Sequence, residues 1–120
     1  MPPAPVILLV EDEYFQAKEF AEAVKRHGGV PLGPFPDIVR AREAVVAGKV
    51  DAAVLDVNLR GEWVFDLLPL LEDRNIPYCL ATAYRAEMLP ERFHNAVIWE
   101  KPFDADLMVR RLLEKGRSVT

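Results

Sequence analysis

Two hydrophobic periods take turns along this chain, one that suits a buried strand and one that suits an amphipathic helix. Pro5 to Val10 is short and almost wholly apolar, the pattern of a strand covered on both faces. From Tyr14 to His27 the period lengthens. Ala17, Phe20, Ala21 and Val24 share one helical face, while Lys18, Glu19, Glu22, Lys25 and Arg26 turn outward, and Gly28-Gly29 ends the helix. Val30 to Leu32 reads as a second strand. Pro31 and Pro34 remove backbone donors there, which places it at a sheet edge. Asp37 is positioned to cap a helix with Ile38, Ala41 and Val45 on one side, ending at Gly48.

Ala52 to Asp56 is a third apolar strand. Pro69 does not fit a helix interior, so the next helix is expected to start near Asp66, with Pro69 in its first turn. Tyr78 to Ala81 and Val97 to Trp99 read as the fourth and fifth strands. Between them the stretch from Ala83 to Ala96 carries Pro90 in its middle, so the fourth helix is expected to be short or displaced. Asp104 caps a last helix whose Ala105, Met108, Val109 and Leu112 face inward. Strand-helix alternation from end to end implies an α/β fold with parallel strands, right-handed crossovers and helices on both faces of one sheet.

With 120 residues there is room for one domain, taken as 1–120 with a flexible lead over 1–4 and no output domain. Hydrophobic residues, at 51%, suffice to fill its core. The net charge of -4 argues against nonspecific binding to nucleic acid or to an anionic membrane. Cys79, the single cysteine, excludes an internal disulfide and a cysteine-based zinc site, and is expected to be an inert core residue. No apolar run has the length of a membrane span, and the N-terminus lacks a signal-peptide pattern, so a cytoplasmic location is expected.

The positions of the polar residues carry the functional signal. Glu11 and Asp12 directly follow the first strand, Asp56 ends the third, Thr82 follows the fourth and Lys101 the fifth. In an open parallel sheet, ligands bind outside the carboxyl ends of the strands, where the strand order reverses. Five polar residues from four strand ends therefore meet in one shallow pocket. Three carboxylates held together repel one another unless a cation relieves them, and hard oxygen ligands on a half-open site suit Mg²⁺. Lys101 and the Thr82 hydroxyl supply a positive charge and a donor for a transferring phosphoryl group, with Asp56 as its nucleophile.

These residues also carry a resemblance. Glu11-Asp12, Leu55-Asp56-Val57-Asn58-Leu59 followed by Gly61, Ala81-Thr82-Ala83 and Lys101-Pro102-Phe103 resemble, over nearly the whole chain, the receiver domains of bacterial two-component response regulators. The resemblance implies a flavodoxin-like (βα)5 three-layer sandwich with strand order 2-1-3-4-5. It implies that Asp12 and Asp56 ligate Mg²⁺, with Glu11 acting through water and Asn58 through its backbone carbonyl, and that Thr82 and Lys101 contact the phosphoryl group. The implied function is signalling rather than enzymatic turnover: a phosphoryl group arrives on Asp56 from a histidine kinase or histidine phosphotransfer protein. The output is then docking to an unidentified downstream protein, by a monomer or weak homodimer.

Leu80-Ala81-Thr82-Ala83-Tyr84, with Leu89-Pro90 downstream, further resembles the subgroup with a Phe-Ala-Thr-Gly-Tyr motif, often single-domain proteins of alphaproteobacteria. Most receivers place Tyr or Phe three residues before the lysine, where this chain has Ile98; Trp99 next to it points to the opposite face. Thr82, Tyr84 and Ile98 are therefore the expected switch positions, with Tyr84 the aromatic that responds.

Two other functions use similar residues. A haloacid-dehalogenase-type phosphohydrolase also has an aspartyl nucleophile, Mg²⁺, a Thr or Ser and a lysine, but normally a second Asp two residues after the nucleophile, where this chain has Asn58. A binding module that is never phosphorylated would not need the complete set of pocket residues. Outside the pocket, His27 is expected to serve a helix C-terminus, and His94 carries no partner signature in the sequence. Trp63 and Phe65 are expected to pack, with an exposed Trp63 the alternative as a partner contact, and Arg110 and Arg111 are expected to be solvated.

Overall fold

In a computed structural model, which describes residues 3–94 and 96–117, five parallel strands form one sheet. Met1 and Pro2 of the expected lead lie outside the described residues. The strands are β1 (Val6–Val10), β2 (Val30–Phe35), β3 (Ala52–Asp56), β6 (Tyr78–Thr82) and β7 (Val97–Glu100), in the order β2-β1-β3-β6-β7. A short hairpin, β4 (Asn58–Leu59) and β5 (Glu62–Trp63), is inserted after β3. The proline-bearing strand β2 does lie at an edge, as its missing donors require.

Helices α1 (Tyr14–Arg26), α2 (Ile38–Ala47), α3 (Leu68–Asp73) and α4 (Ala105–Arg117) cover the sheet. Strand residues alternate between two cores, as a period of two demands. Ile7 and Leu9 of β1 pack with Phe20 and Val24 of α1 and with Met108 and Val109 of α4. Leu8 and Val10 pack with Ile38 and Val45 of α2 and Leu68 and Leu71 of α3. The same alternation sends Ile98 into the second core and Trp99 into the first, where its ring lies 5.6 Å from Phe103.

The caps follow the sequence. Asp37 accepts the Arg40 N–H at 2.8 Å, and Asp104 accepts those of Asp106 and Leu107 at 2.9 and 3.2 Å. Replacing Asp37 by Ala leaves the first turn of α2 with an unmet donor and is expected to cost about 1 kcal/mol in chemical denaturation. Cys79 is buried, and burial pushes its thiol up to about 12, which makes it inert at neutral pH.

Two features differ from the sequence expectation. Helix α3 begins at Leu68 instead of near Asp66; Asp66 belongs to a single 3-10 turn, Val64–Leu67, that leads into it, and Pro69 does fall in the first turn. The β4–β5 hairpin has no counterpart in the expected element list. The His94 Nε2 lies 2.7 Å from the Leu89 carbonyl oxygen, a contact that the sequence carries no signature for. Between β6 and β7, two single 3-10 turns, Ala86–Met88 and Glu91–Phe93, stand where a fourth regular helix would sit, with Pro90 between them. Pro90 lacks the donor and Leu89 is extended, so neither continues a helix. Among the described residues, no helix is long and apolar enough to cross a membrane.

Candidate functional site

β1 and β3 are neighbours whose connections leave to opposite sides, and their carboxyl ends form the topological switch point. Val10 is in register with Leu55, so the next residues, Glu11 and Asp56, emerge side by side. Asp56 in turn is in register with Ala81, which sets Thr82 just beyond it, and the backbone N–H of Lys101 donates to the Thr82 carbonyl at 2.7 Å. The sheet thus delivers all five predicted residues to one end of the molecule.

Glu11, Asp12 and Asp56 each offer a carboxylate oxygen, and these oxygens lie within 4.8 Å of one another. Lys101 bridges the two buried members, its Nζ 2.9 Å from Glu11 Oε1 and 3.1 Å from Asp56 Oδ2. Glu11 is buried, and its other oxygen accepts the backbone N–H groups of Asp12 and Glu13. Burial nevertheless raises its pKa to about 7; the hydrogen bond and charge of Asp56 add to the rise, and Lys101 offsets only part of it. Burial disfavours the charge on Lys101, but its bond to Glu11 and the charges of both carboxylates outweigh that and hold its pKa above the ordinary value. The pocket thus holds more negative charge than its lysine neutralises. Clustered, partly accessible carboxylate oxygens of this kind can hold a metal ion.

Asp56 Oδ1 accepts the Asn58 N–H at 3.1 Å, which fixes the carboxylate in the turn leaving β3. Asn58 Oδ1 accepts the Gly61 N–H at 2.8 Å, so the amide side chain braces the hairpin. Thr82 is fully buried, and its Oγ1 accepts the Tyr84 N–H at 2.8 Å, leaving the hydroxyl hydrogen free to donate. Tyr84 is 40% exposed, with its ring 5.7 Å from that of Trp63. Trp63 stacks at 5.8 Å on Phe65, which stacks at 4.5 Å on Phe93, so Tyr84 ends an aromatic row running over the 3-10 turns. Ile98 lies on the neighbouring strand among apolar residues.

One charged group at the pocket was not anticipated. Arg60, at the tip of the hairpin, places its Nε 3.2 Å from Asp12 Oδ2. The turn Arg60-Gly61 has φ 55° and 90°, the left-handed pair that a two-residue hairpin needs. The only sequence signal was Gly61 two residues before Trp63, since arginine is not a usual first residue for such a turn.

No family model and no curated protein sequence matches the chain. Solved structures do. SdrG from Sphingomonas melonis Fr1 is 32% identical over 98% of this chain and 99% of its own, with a TM-score of 0.82. Its BeF3-activated conformation, from Pseudomonas melonis Fr1, superposes with a TM-score of 0.77 at 32% identity, over 94% of this chain and 97% of that one. A CheY-like response regulator receiver domain from Methylobacillus flagellatus has the same fold at 19% identity and a TM-score of 0.80, over 94% and 98% of the two chains. So does a Burkholderia pseudomallei response regulator solved with a phosphorylated aspartic acid, calcium ion and citrate, at 18% identity and 0.77, over 96% and 70%. With the acidic pair, the strand-end aspartate, the threonine and the lysine gathered at the switch point of this sheet, the chain belongs to the response regulator receiver domains.

Proposed function

We propose that the chain is a phosphoacceptor that takes a phosphoryl group onto Asp56 with Mg²⁺ as its cofactor and signals by protein-protein contact. One observation carries the reading: the Asp56 carboxylate sits between Lys101, at 3.1 Å, and two further carboxylates at the switch point of the sheet. The phosphorylated aspartic acid of the Burkholderia regulator and the BeF3 activation of SdrG support it.

In the reaction, a carboxylate oxygen of Asp56 forms a bond to phosphorus as the donor's bond breaks. The electron pair leaves with the donor's imidazole, or with acetate when acetyl phosphate is used. Lys101 loses part of its hold on Asp56 and gains the phosphoryl oxygens, and the Thr82 hydroxyl donates to one of them. Mg²⁺, held by Asp12, Asp56 and the Asn58 backbone carbonyl with Glu11 behind a water, would neutralise the charge that both reactants bring together. The donor is a histidine kinase or histidine phosphotransfer protein in the cytoplasm, and turnover is confined to the chain's own acyl phosphate. Asn58 argues against a phosphohydrolase. Its Oδ1 is committed to the Gly61 N–H, and an amide is neither acidic nor basic enough near neutral pH to act as general acid or base toward a leaving group.

The test is incubation with Mg²⁺ and acetyl phosphate followed by intact-mass measurement, which should show one labile phosphoryl group. Thr82→Ala separates chemistry from response. Without the hydroxyl, the variant is expected to retain phosphorylation on Asp56 but to lose most of the change in hydrogen exchange across 83–94 that the unsubstituted chain shows with a phosphoryl mimic. An equal exchange response in both proteins would place the switch elsewhere.

A further inference from the structure

Arg60 is not part of the reaction described above, and its position is an odd one for an arginine. The first residue of a left-handed two-residue turn is normally Gly, Asn or Asp, because a longer side chain is disfavoured at φ 55°. The hairpin that imposes this geometry is well anchored. Leu59 is buried, the Val64 N–H donates to the Val57 carbonyl at 2.9 Å, and Glu62 Oε1 accepts the Ile38 N–H at the start of α2. A rigid support therefore carries a long, 81% exposed cation to the lip of the pocket, against Asp12, one of the two carboxylates there that solvent reaches.

The two cations of the pocket differ in kind. Lys101 is set between Glu11 and Asp56, with its side chain 20% exposed, whereas Arg60 reaches Asp12 from the solvent side. An ion pair so exposed is weak and easily broken. Asp12 is also one of the two carboxylates that a dication entering from solvent can reach, Glu11 being sealed.

We propose that Arg60 is a tethered counter-cation that a divalent metal displaces from Asp12, and that the freed guanidinium then binds the phosphate of the incoming donor at the pocket's mouth. The inference rests on the phosphoacceptor reading and adds to it a residue that sets both metal affinity and donor capture. Its planar fork of N–H donors suits phosphate oxygens better than a lysine would. The two roles have opposite signs, since removing the guanidinium clears a competitor for the metal but takes away a ligand for the donor.

The experiment compares the full chain with Arg60→Gln and Arg60→Lys. Mg²⁺ affinity is measured by titration calorimetry, and the initial rate of phosphorylation is followed against acetyl phosphate concentration in saturating Mg²⁺. Arg60→Gln is expected to bind Mg²⁺ about fivefold more tightly, the scale set by an exposed ion pair. Its half-saturating donor concentration should rise about tenfold with little change in the maximal rate, and Arg60→Lys should fall between. A purely structural role for Arg60 would move neither quantity in this paired way. Unchanged Mg²⁺ affinity and unchanged donor dependence in Arg60→Gln would overturn the proposal. So would weaker metal binding. A wild-type chain that binds Mg²⁺ but gains no phosphoryl group would instead sink the phosphoacceptor reading, and the calorimetric comparison would still decide the metal half of this one.

Discussion

Asp56→Asn is expected to gain no phosphoryl group from acetyl phosphate under conditions in which the unsubstituted chain gains one. Of the three clustered carboxylates, Asp56 alone combines what a nucleophile needs. Its side chain is 12% exposed, enough for a donor to reach, while Glu11 is sealed at 0%. Lys101 already lies 3.1 Å from one of its oxygens, and the Asn58 N–H orients the other. Asp12 is reachable but stands outside the lysine's contacts. An acyl phosphate formed there would lack the fixed charge that offsets its own. Asn keeps the shape and the Asn58 contact, so the variant should fold normally by circular dichroism and fail only in chemistry. A phosphoryl adduct of equal yield on Asp56→Asn, or one mapped to His27 in the parent chain, would sink the assignment.

The parts of this molecule that were legible in the sequence are those set by local pattern. The apolar runs of β1, β3 and β6 are buried on both faces, and buried parallel strands cannot be written otherwise. The pocket was legible because topology alone brings strand ends together, so Glu11, Asp12, Asp56, Thr82 and Lys101 needed only their positions to be found. What escaped depends on tertiary context. β4 and β5 have two residues each, too few for any period to register, and they are held by pairing across Arg60-Gly61 and by Asn58 Oδ1. The Arg60–Asp12 pair joins residues far apart in sequence through that hairpin, and nothing in the composition of either segment signals it. The connection from Ala83 to Ala96 was read correctly as a poor helix from Pro90, but the aromatic row of Tyr84, Trp63, Phe65 and Phe93 that lines it joins three segments and is visible only when they are folded.

Mg²⁺ is expected to raise the melting temperature, and to do so more at pH 8 than at pH 6. Glu11 governs the difference. Its folded pKa is raised from 4.5 to about 7, chiefly by burial and then by Asp56, so between those values the folded protein keeps a proton that the unfolded chain has released. Stability of the metal-free protein should therefore fall as pH rises through this window, and remain reduced above it, where Glu11 is charged in its buried site. Asp106, held low by its bond to Arg26, contributes in the opposite sense and only below its ordinary value of 3.8, outside the window. A dication reverses the disadvantage at high pH, because it binds the ionised cluster and must compete with the Glu11 proton at low pH. At a hundredfold excess over its dissociation constant it should stabilise the fold by about 2.7 kcal/mol, or roughly 10 °C in a domain of this size. Asp12→Ala, which removes a solvent-accessible carboxylate of the cluster, should abolish most of that gain at either pH while leaving the metal-free melting temperature close to that of the parent. Differential scanning calorimetry at the two pH values, with Mg²⁺ and with a chelator, reads all of these quantities. A melting temperature indifferent to Mg²⁺ would remove the metal from the mechanism, and an equal gain at pH 6 and pH 8 would remove Glu11 from its control.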